Sequence, residues 1–175
     1  MNLPNIIAAQ RFFDLLGRGE NFAIQTFDDH SKRKDRRLVT VMHGTLNQHA
    51  EVMIRLNAAG AGVFVTINQT DGTGRATANI IRVRSLFVDL DGAPIEPVMA
   101  HVMPPSIVIE SSPNRYHAYW LTDDCALDQF KPAQQRLIQQ FNGDKSVCDL
   151  PRVMRLPGFI HQKAEPFMTR IIFPE

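Results

Sequence analysis

The chain has 175 residues, 44% hydrophobic and 21% charged, with 19 Lys+Arg against 18 Asp+Glu and a formal net charge of +1. This suits one domain or two closely packed lobes and excludes a disordered or fibrous protein. A chain this long buries roughly 70% of its unfolded surface, so it needs no disulfide or structural metal. With a net charge near zero, any nucleic-acid partner must be met by local clusters of positive charge.

In chain order, Ile6, Ala9, Phe13 and Leu16 recur at helical spacing, and Gly17 and Gly19 end that helix. Residues 21–27 and 37–42 read as strands around a polar connection. Thr45 is an N-cap for a helix with His49, Val52, Met53 and Leu56 on one face, stopped by Gly60. Residues 62–68 form a strand, 69–75 a loop, and 83–90 an apolar strand ending in Asp-Leu-Asp-Gly. Residues 94–103 are expected to be helical, 106–110 and 117–121 strands. Phe130, Ala133, Leu137, Ile138 and Phe141 share a helical face, with Pro132 tolerated in the first turn. Residues 153–156 and 167–173 read as the last strands, the second with Phe167, Thr169, Ile171 and Phe173 alternating on one face. Irregular alternation of strands and helices, with hairpin-like pairs, favours an α+β fold. Cys125 and Cys148 form no CxxC pair and read as buried free thiols of a cytoplasmic protein. No apolar run is long enough to span a membrane, and the N-terminus lacks the pattern of a signal peptide.

Four segments carry chemistry. In Leu86-Phe87-Val88-Asp89-Leu90-Asp91-Gly92, alternate strand residues share a face, so Asp89 and Asp91 point the same way while Leu86, Val88 and Leu90 point into the core. Two such carboxylates repel unless a cation lies between them, and hard oxygen ligands suit Mg²⁺ or Mn²⁺. A solvated strand end is the simpler alternative. In Glu110-Ser111-Ser112-Pro113-Asn114-Arg115-Tyr116-His117, the turn offers hydroxyls and backbone N–H groups to anionic oxygens. His117 alone is equally a packed histidine. From Asp149 through Arg152 and Arg155 to His161 and Lys163, one acid precedes three cations. Acids for metal and cations for triphosphate are what nucleotidyl transfer requires. Finally, Lys32, Arg33, Lys34, Arg36 and Arg37 cluster around Asp35. That run is either a solvated hairpin tip or a contact to nucleic-acid backbone.

In this order the motifs LFVDLDG, ESSPNRYHAYW and VCDLPRVMRLPGF with its trailing HQK resemble the archaeo-eukaryotic primase superfamily, and within it the RepB-like primase and primase-polymerase domains of phages and plasmids. The likeness spans roughly residues 62–163, the long third motif being its most specific part. It implies a catalytic core like an RNA-recognition fold, with a mostly antiparallel sheet, beside a small α/β lobe. On this reading residues 1–61 form the N-terminal part and 62–175 the motif-bearing core. It implies primer synthesis or extension on single-stranded DNA from NTPs or dNTPs, using two divalent ions. Asp89, Asp91 and Asp149 would hold the ions, and His117 the triphosphate. Arg152, Arg155 and Lys163 would meet phosphate or template. Many members have a hydroxyl residue two places before the histidine. Here Arg115 stands there, so Arg115 with Ser111 and Ser112 is expected at the triphosphate. A replicative helicase in the same parent chain or system is the expected partner, since the chain ends at Pro174-Glu175 with no second domain to grip template.

Other readings stand beside this one. FVDLDG also looks like the opening motif of haloacid-dehalogenase-like phosphatases, although it lies mid-chain. A rolling-circle nicking nuclease would need paired histidines, which the sequence lacks. A non-catalytic nucleic-acid-binding domain would explain the Arg and aromatic residues but not three carboxylates.

Overall fold

The Asn5 side chain accepts the Ala8 amide at 3.0 Å and so caps α1 (Ile6–Gly17), whose Ala9, Phe12, Phe13 and Leu16 form the buried stripe. The structure, a computed structural model, describes residues 3–174; Met1, Asn2 and Glu175, the outermost residues of the two expected parts, lie outside it. After α1 come β1 (Phe22–Asp28), β2 (Thr40–Gly44), α2 (Leu46–Ala58) and β3 (Ala61–Thr66). A short hairpin of β4 (Gln69–Thr70) and β5 (Ile80–Arg82) leads to β6 (Ser85–Leu90), α3 (Glu96–Met99), β7 (Ile107–Ser112), β8 (Arg115–Leu121) and α4 (Leu127–Phe141). The chain closes with β9 (Val153–Arg155), the pair β10 (Ile160–His161) and β11 (Phe167–Met168), and β12 (Arg170–Phe173).

Two four-stranded sheets dominate, ordered β2-β1-β3-β9 and β12-β7-β8-β6. Every strand pairing is antiparallel, within the mixed α/β fold that the sequence leads one to expect. The first sheet draws on both ends of the chain: β9, from the third motif, pairs with β3. The second sheet is buried on both faces. Phe87, Tyr119, Ile107 and Ile109 join α1 and the first sheet in the larger core. Val88, Leu90, Val108 and Ala118 pack on α3 and Phe141 of α4 in a smaller one.

Local chemistry explains where elements differ from expectation. Asp35 accepts the Arg37 amide at 2.9 Å and winds Arg36–Leu38 into a 3₁₀ turn, so β2 starts only at Thr40. The helix expected over 94–103 is one turn, because Pro104 and Pro105 disfavour helix just before them. The final strand is broken at Thr169. That residue's backbone pairs with the Gly158 amide and the Phe159 carbonyl, at 2.8 and 3.1 Å, instead of continuing the ladder, while its side chain stays buried in the expected alternation. Cys125 and Cys148 are half-buried rather than buried. Gly158 has φ +88°, and a Cβ there would lie 2.2 Å from the Asn5 carbonyl oxygen. Only glycine lets the third motif pass this close to the start of α1, where the Asn5 amide donates to the Gly158 carbonyl at 2.7 Å.

β6 is an edge strand, yet its outer backbone is occupied. Gln134 of α4, wholly buried, accepts the Phe87 amide through Oε1 at 3.1 Å and donates to the carbonyls of Phe87 and Val147 at 2.5 and 3.0 Å. The Asp144 amide donates to the Asp89 carbonyl at 2.9 Å. These bonds fix the strand that carries the DxD motif.

Candidate active site

One face of the second sheet grades from core to cleft. Phe87 lies opposite Tyr119, and Asp89 opposite His117; one pair further, the Asp91 carboxylate meets the Arg115 guanidinium. Because residues two apart share a face, the apolar core continues directly into a polar cleft of about 530 Å³ lined by Asp89, Asp91, His117 and Arg115 together with Ser111 and Ser112. Gly92, with φ +93°, turns the chain away just past Asp91.

That position at the rim sets the electrostatics. Burial first, and then the nearby Asp144 carboxylate, push the Asp89 carboxyl up to about 6 against the opposing pull of Arg115, Arg152 and Lys163. His117 is 7% exposed, with Nε2 at 3.8 Å from Asp89 Oδ1. Burial, then the Arg155 charge and His161, push its pKa down to about 3, so the ring is neutral. The Tyr119 hydroxyl lies 3.4 Å from His117 Nδ1. With that hydroxyl donating, the ring's one proton is on Nε2, facing Asp89. Burial, and then Asp89, keep the Tyr119 phenol protonated.

The opposite wall comes from the third motif. Arg155 on β9 and the strap through His161, Lys163 and Glu165 line the same cleft. His161 Nδ1 donates to the Ser111 carbonyl at 2.9 Å, joining strap to hairpin. Arg155 does not reach out alone: its guanidinium forms two bonds to the buried Asp29 carboxylate and lies 4.7 Å over the Phe64 ring.

The structure therefore gathers Asp89, Asp91, Ser111, Ser112, Arg115, His117, Arg155 and Lys163 around one space. Asp149 and Arg152 stand outside its lining; Asp149 is 49% exposed and accepts from Arg152 Nε at 2.7 Å. Among the described residues no three His, Cys, Asp or Glu side chains converge as a metal-holding group. In the basic run, Arg33 is bound to Asp28 at 2.8 Å and Arg37 to Asp35 at 2.8 Å, while Lys32, Lys34 and Arg36 are exposed. Sequence reasoning missed Asp29 and Asp144. Asp144 follows a Gly-turn and carries no local signal. The partner of Asp29 is 126 positions away.

A family model described as the RepB DNA-primase N-terminal domain matches residues 30–170. The chain belongs to the RepB DNA-primase family. As a RepB-family DNA primase it is an enzyme of replication, which decides against the phosphatase, nicking and purely binding readings. Among solved structures, this RepB-family chain is similar to the AEP domain of the Cyanophage S-2L Primase-Polymerase (TM-score 0.76, 20% identity, covering 99% of this chain and 92% of that one). It is also similar to the catalytic domain of primase RepB′ in complex with initiator DNA (TM-score 0.67, 19% identity, 95% and 83%). A further structure of primase RepB′ gives a TM-score of 0.69 at 19% identity, over 95% of this chain and 55% of that one. At these identities the likeness shows a shared fold. No curated protein sequence matches the chain. No described helix is long and apolar enough to cross a membrane.

Proposed function

We propose that this cleft performs template-directed nucleotidyl transfer, synthesising or extending primers on single-stranded DNA in phage or plasmid replication. The observation that carries the reading is the convergence of Asp89, Asp91 and His117 on one wall with Arg155 and Lys163 on the other. Acidic residues face basic ones across a space of the size a nucleotide needs.

The donor chemistry fits a divalent cation. Asp89 and Asp91 are hard oxygen ligands, and the raised proton affinity of Asp89 marks negative charge that a cation would relieve. Mg²⁺ or Mn²⁺ held there would lower the pKa of the attacking 3′-hydroxyl and neutralise charge developing at the α-phosphate. A second ion needs a third carboxylate: Asp149 by its motif, after exchanging its Arg152 partner. Around the ions, the chain's own groups do the positioning. His117 Nε2–H donates to a non-bridging phosphate oxygen. Arg115, once released from Asp91, and Lys163 stand beside the β- and γ-phosphates, with the Ser111 and Ser112 turn below. Arg152, close enough to affect Asp89, meets phosphate or template from the cleft margin.

Template binding is supported by the RepB′ structure solved with initiator DNA. In this chain the exposed Lys32, Lys34 and Arg36, with Arg33 and Arg37, supply phosphate contacts. We read β6, α3, β7, β8 and α4 as the part of the core that is like an RNA-recognition fold. A replicative helicase is the partner that a role in primer synthesis calls for. Single-stranded templates with labelled NTPs or dNTPs, with and without primer, Mg²⁺ or Mn²⁺, test the proposal. Cation-dependent extension lost in Asp91→Asn is expected; extension without divalent cation, or undiminished in that variant, refutes it.

A further inference from the structure

The buried acid behind Arg155 has no part in the chemistry described so far. Asp29 directly follows β1, and its side chain is 1% exposed. Its Oδ1 accepts from Arg155 Nη2 at 2.6 Å and its Oδ2 from Nη1 at 3.0 Å. The same Oδ2 also accepts the Gln162 amide at 2.8 Å. One carboxylate thus grips both the cation on the cleft wall and the first residue of the strap beyond β10. A plain counter-charge would need only the first of these contacts.

The surroundings show that the grip is aimed. Gln162 Nε2 donates to the Asn57 carbonyl at 2.7 Å, and the buried Asn57 side chain holds the Ile160 carbonyl and amide at 2.8 and 3.0 Å. On its other side the strap reaches Ser111 through His161. The strap therefore spans from the first sheet to the hairpin of the second, and Lys163 rides on it. Gly62 of β3 leaves the space that the ion pair fills: a Cβ there would lie 2.7 Å from Asp29 Oδ1 and 2.8 Å from Arg155 Nη1.

We propose that Asp29 is a positioning residue for the polyphosphate side of the cleft, acting through Arg155 and the Gln162 amide to set where the Arg155 and Lys163 charges stand. The inference rests on the nucleotidyl-transfer reading of the cleft. It assigns Asp29 no contact with substrate. Its effect is on nucleotide binding, because the Asp89 side of the cleft is built on the other sheet.

Four variants test it: Asp29→Asn; Arg155→Gln; Gly62→Ala, which pushes on the pair without removing a charge; and the neutral pair Asp29→Asn with Arg155→Gln. The last two keep the test intact where a lone Asp29→Asn chain, with Arg155 buried and unmatched, fails to fold. The measurements are ATP and dATP binding with Mg²⁺ by calorimetry, affinity for a single-stranded oligonucleotide, the KM and kcat of primer extension, and amide hydrogen exchange over 160–165. Asp29→Asn and Gly62→Ala should each weaken nucleotide binding and raise KM roughly tenfold, with kcat within about twofold. Exchange over the strap should quicken, and oligonucleotide affinity should hold. In the Arg155→Gln background, adding Asp29→Asn should cost little more, as residues acting through one another are non-additive. Lower thermal stability with KM and strap exchange unchanged would make Asp29 purely structural and overturn the proposal. So would fully additive losses in the pair. A parent chain that binds no triphosphate would overturn the reading of the cleft itself. A parent that binds it, with Asp29→Asn and Gly62→Ala binding equally well, would overturn the role of Asp29 alone.

Discussion

Replacing Asp89 by Asn should stabilise the cation-free protein while abolishing synthesis. The ordinary carboxyl pKa of 3.8 rises to about 6 in the fold, through burial first and the Asp144 charge second. At ~1.36 kcal/mol per pKa unit, keeping this carboxylate charged costs the native state up to about 3 kcal/mol. The side chain is 27% exposed, which screens part of this, and the Asn amide must itself be desolvated. A net gain of about 1–2 kcal/mol is expected, roughly 3–6 °C in melting temperature for a chain of this size. The sign fixes a pH signature. The folded carboxyl binds its proton more tightly than the unfolded one, so the cost is absent below 3.8, grows through the window up to about 6, and is constant above. The stabilisation by Asn should therefore be smaller at about pH 4.5 than at about pH 8, by up to about 2 kcal/mol. Thermal unfolding followed by circular dichroism in chelator, at both pH values, reads this directly. Excess Mg²⁺ should then raise the melting temperature of the parent more than that of the variant. A variant no more stable than the parent at the higher pH, or equally stabilised at both, refutes the argument that Asp89 carries unrelieved charge at a cation site.

Four further outcomes are expected. His117→Ala should weaken nucleotide binding roughly tenfold while sparing single-stranded DNA, as separate titrations of the two would show. Because the folded His117 has its pKa depressed to about 3, the parent should lose stability as pH falls below 6.5, and His117→Gln should blunt that loss in acid unfolding. Neutralising Lys32, Lys34 and Arg36 together should lower the slope of log affinity against log salt by about 2, at ~0.7 per phosphate contact; an unchanged slope leaves the run a solvated connection. Gly158→Ala should cost at least about 2 kcal/mol in chemical denaturation, since it combines a left-handed backbone with a collision against the Asn5 carbonyl.

The strand bearing Asp89 and Asp91 was legible from alternation and composition alone, and so was the α4 face from Phe130 to Phe141. The hairpin around Ser112 and Arg115 followed from its turn residues. What could not be read was whatever depends on distant partners. Phe87 looked like the solvent side of its strand, yet it packs on Tyr119 and Phe130, because the first sheet covers the face it shares with Asp89. Arg155 read as a free cation for phosphate, and its buried acid, Asp29, lay in an ordinary Asp-Asp-His stretch after a strand. Asp149 and Arg152 were singled out by order along the chain, but spacing says nothing of which way a loop turns, and they pair at the cleft's margin.

The two unlike faces of β6 have a consequence for fidelity of assembly. Strand pairing tolerates no partial error here: a slip of one residue against β8 would exchange the two faces of the strand. Val88 and Leu90 would then enter the cleft, and Asp89 and Asp91 would be driven against Phe141 and the small core. Hydrogen bonds from β8 alone repeat every second residue and would accept such a slip with little loss. So would the Gln134 amide, since any residue offers it an N–H and a C=O; the cost of the slip falls on the side chains, which would place two carboxylates in an apolar core. The alternation along β6 thus indexes the strand: Val88 and Leu90, buried in the small core, decide where Asp89 and Asp91 stand.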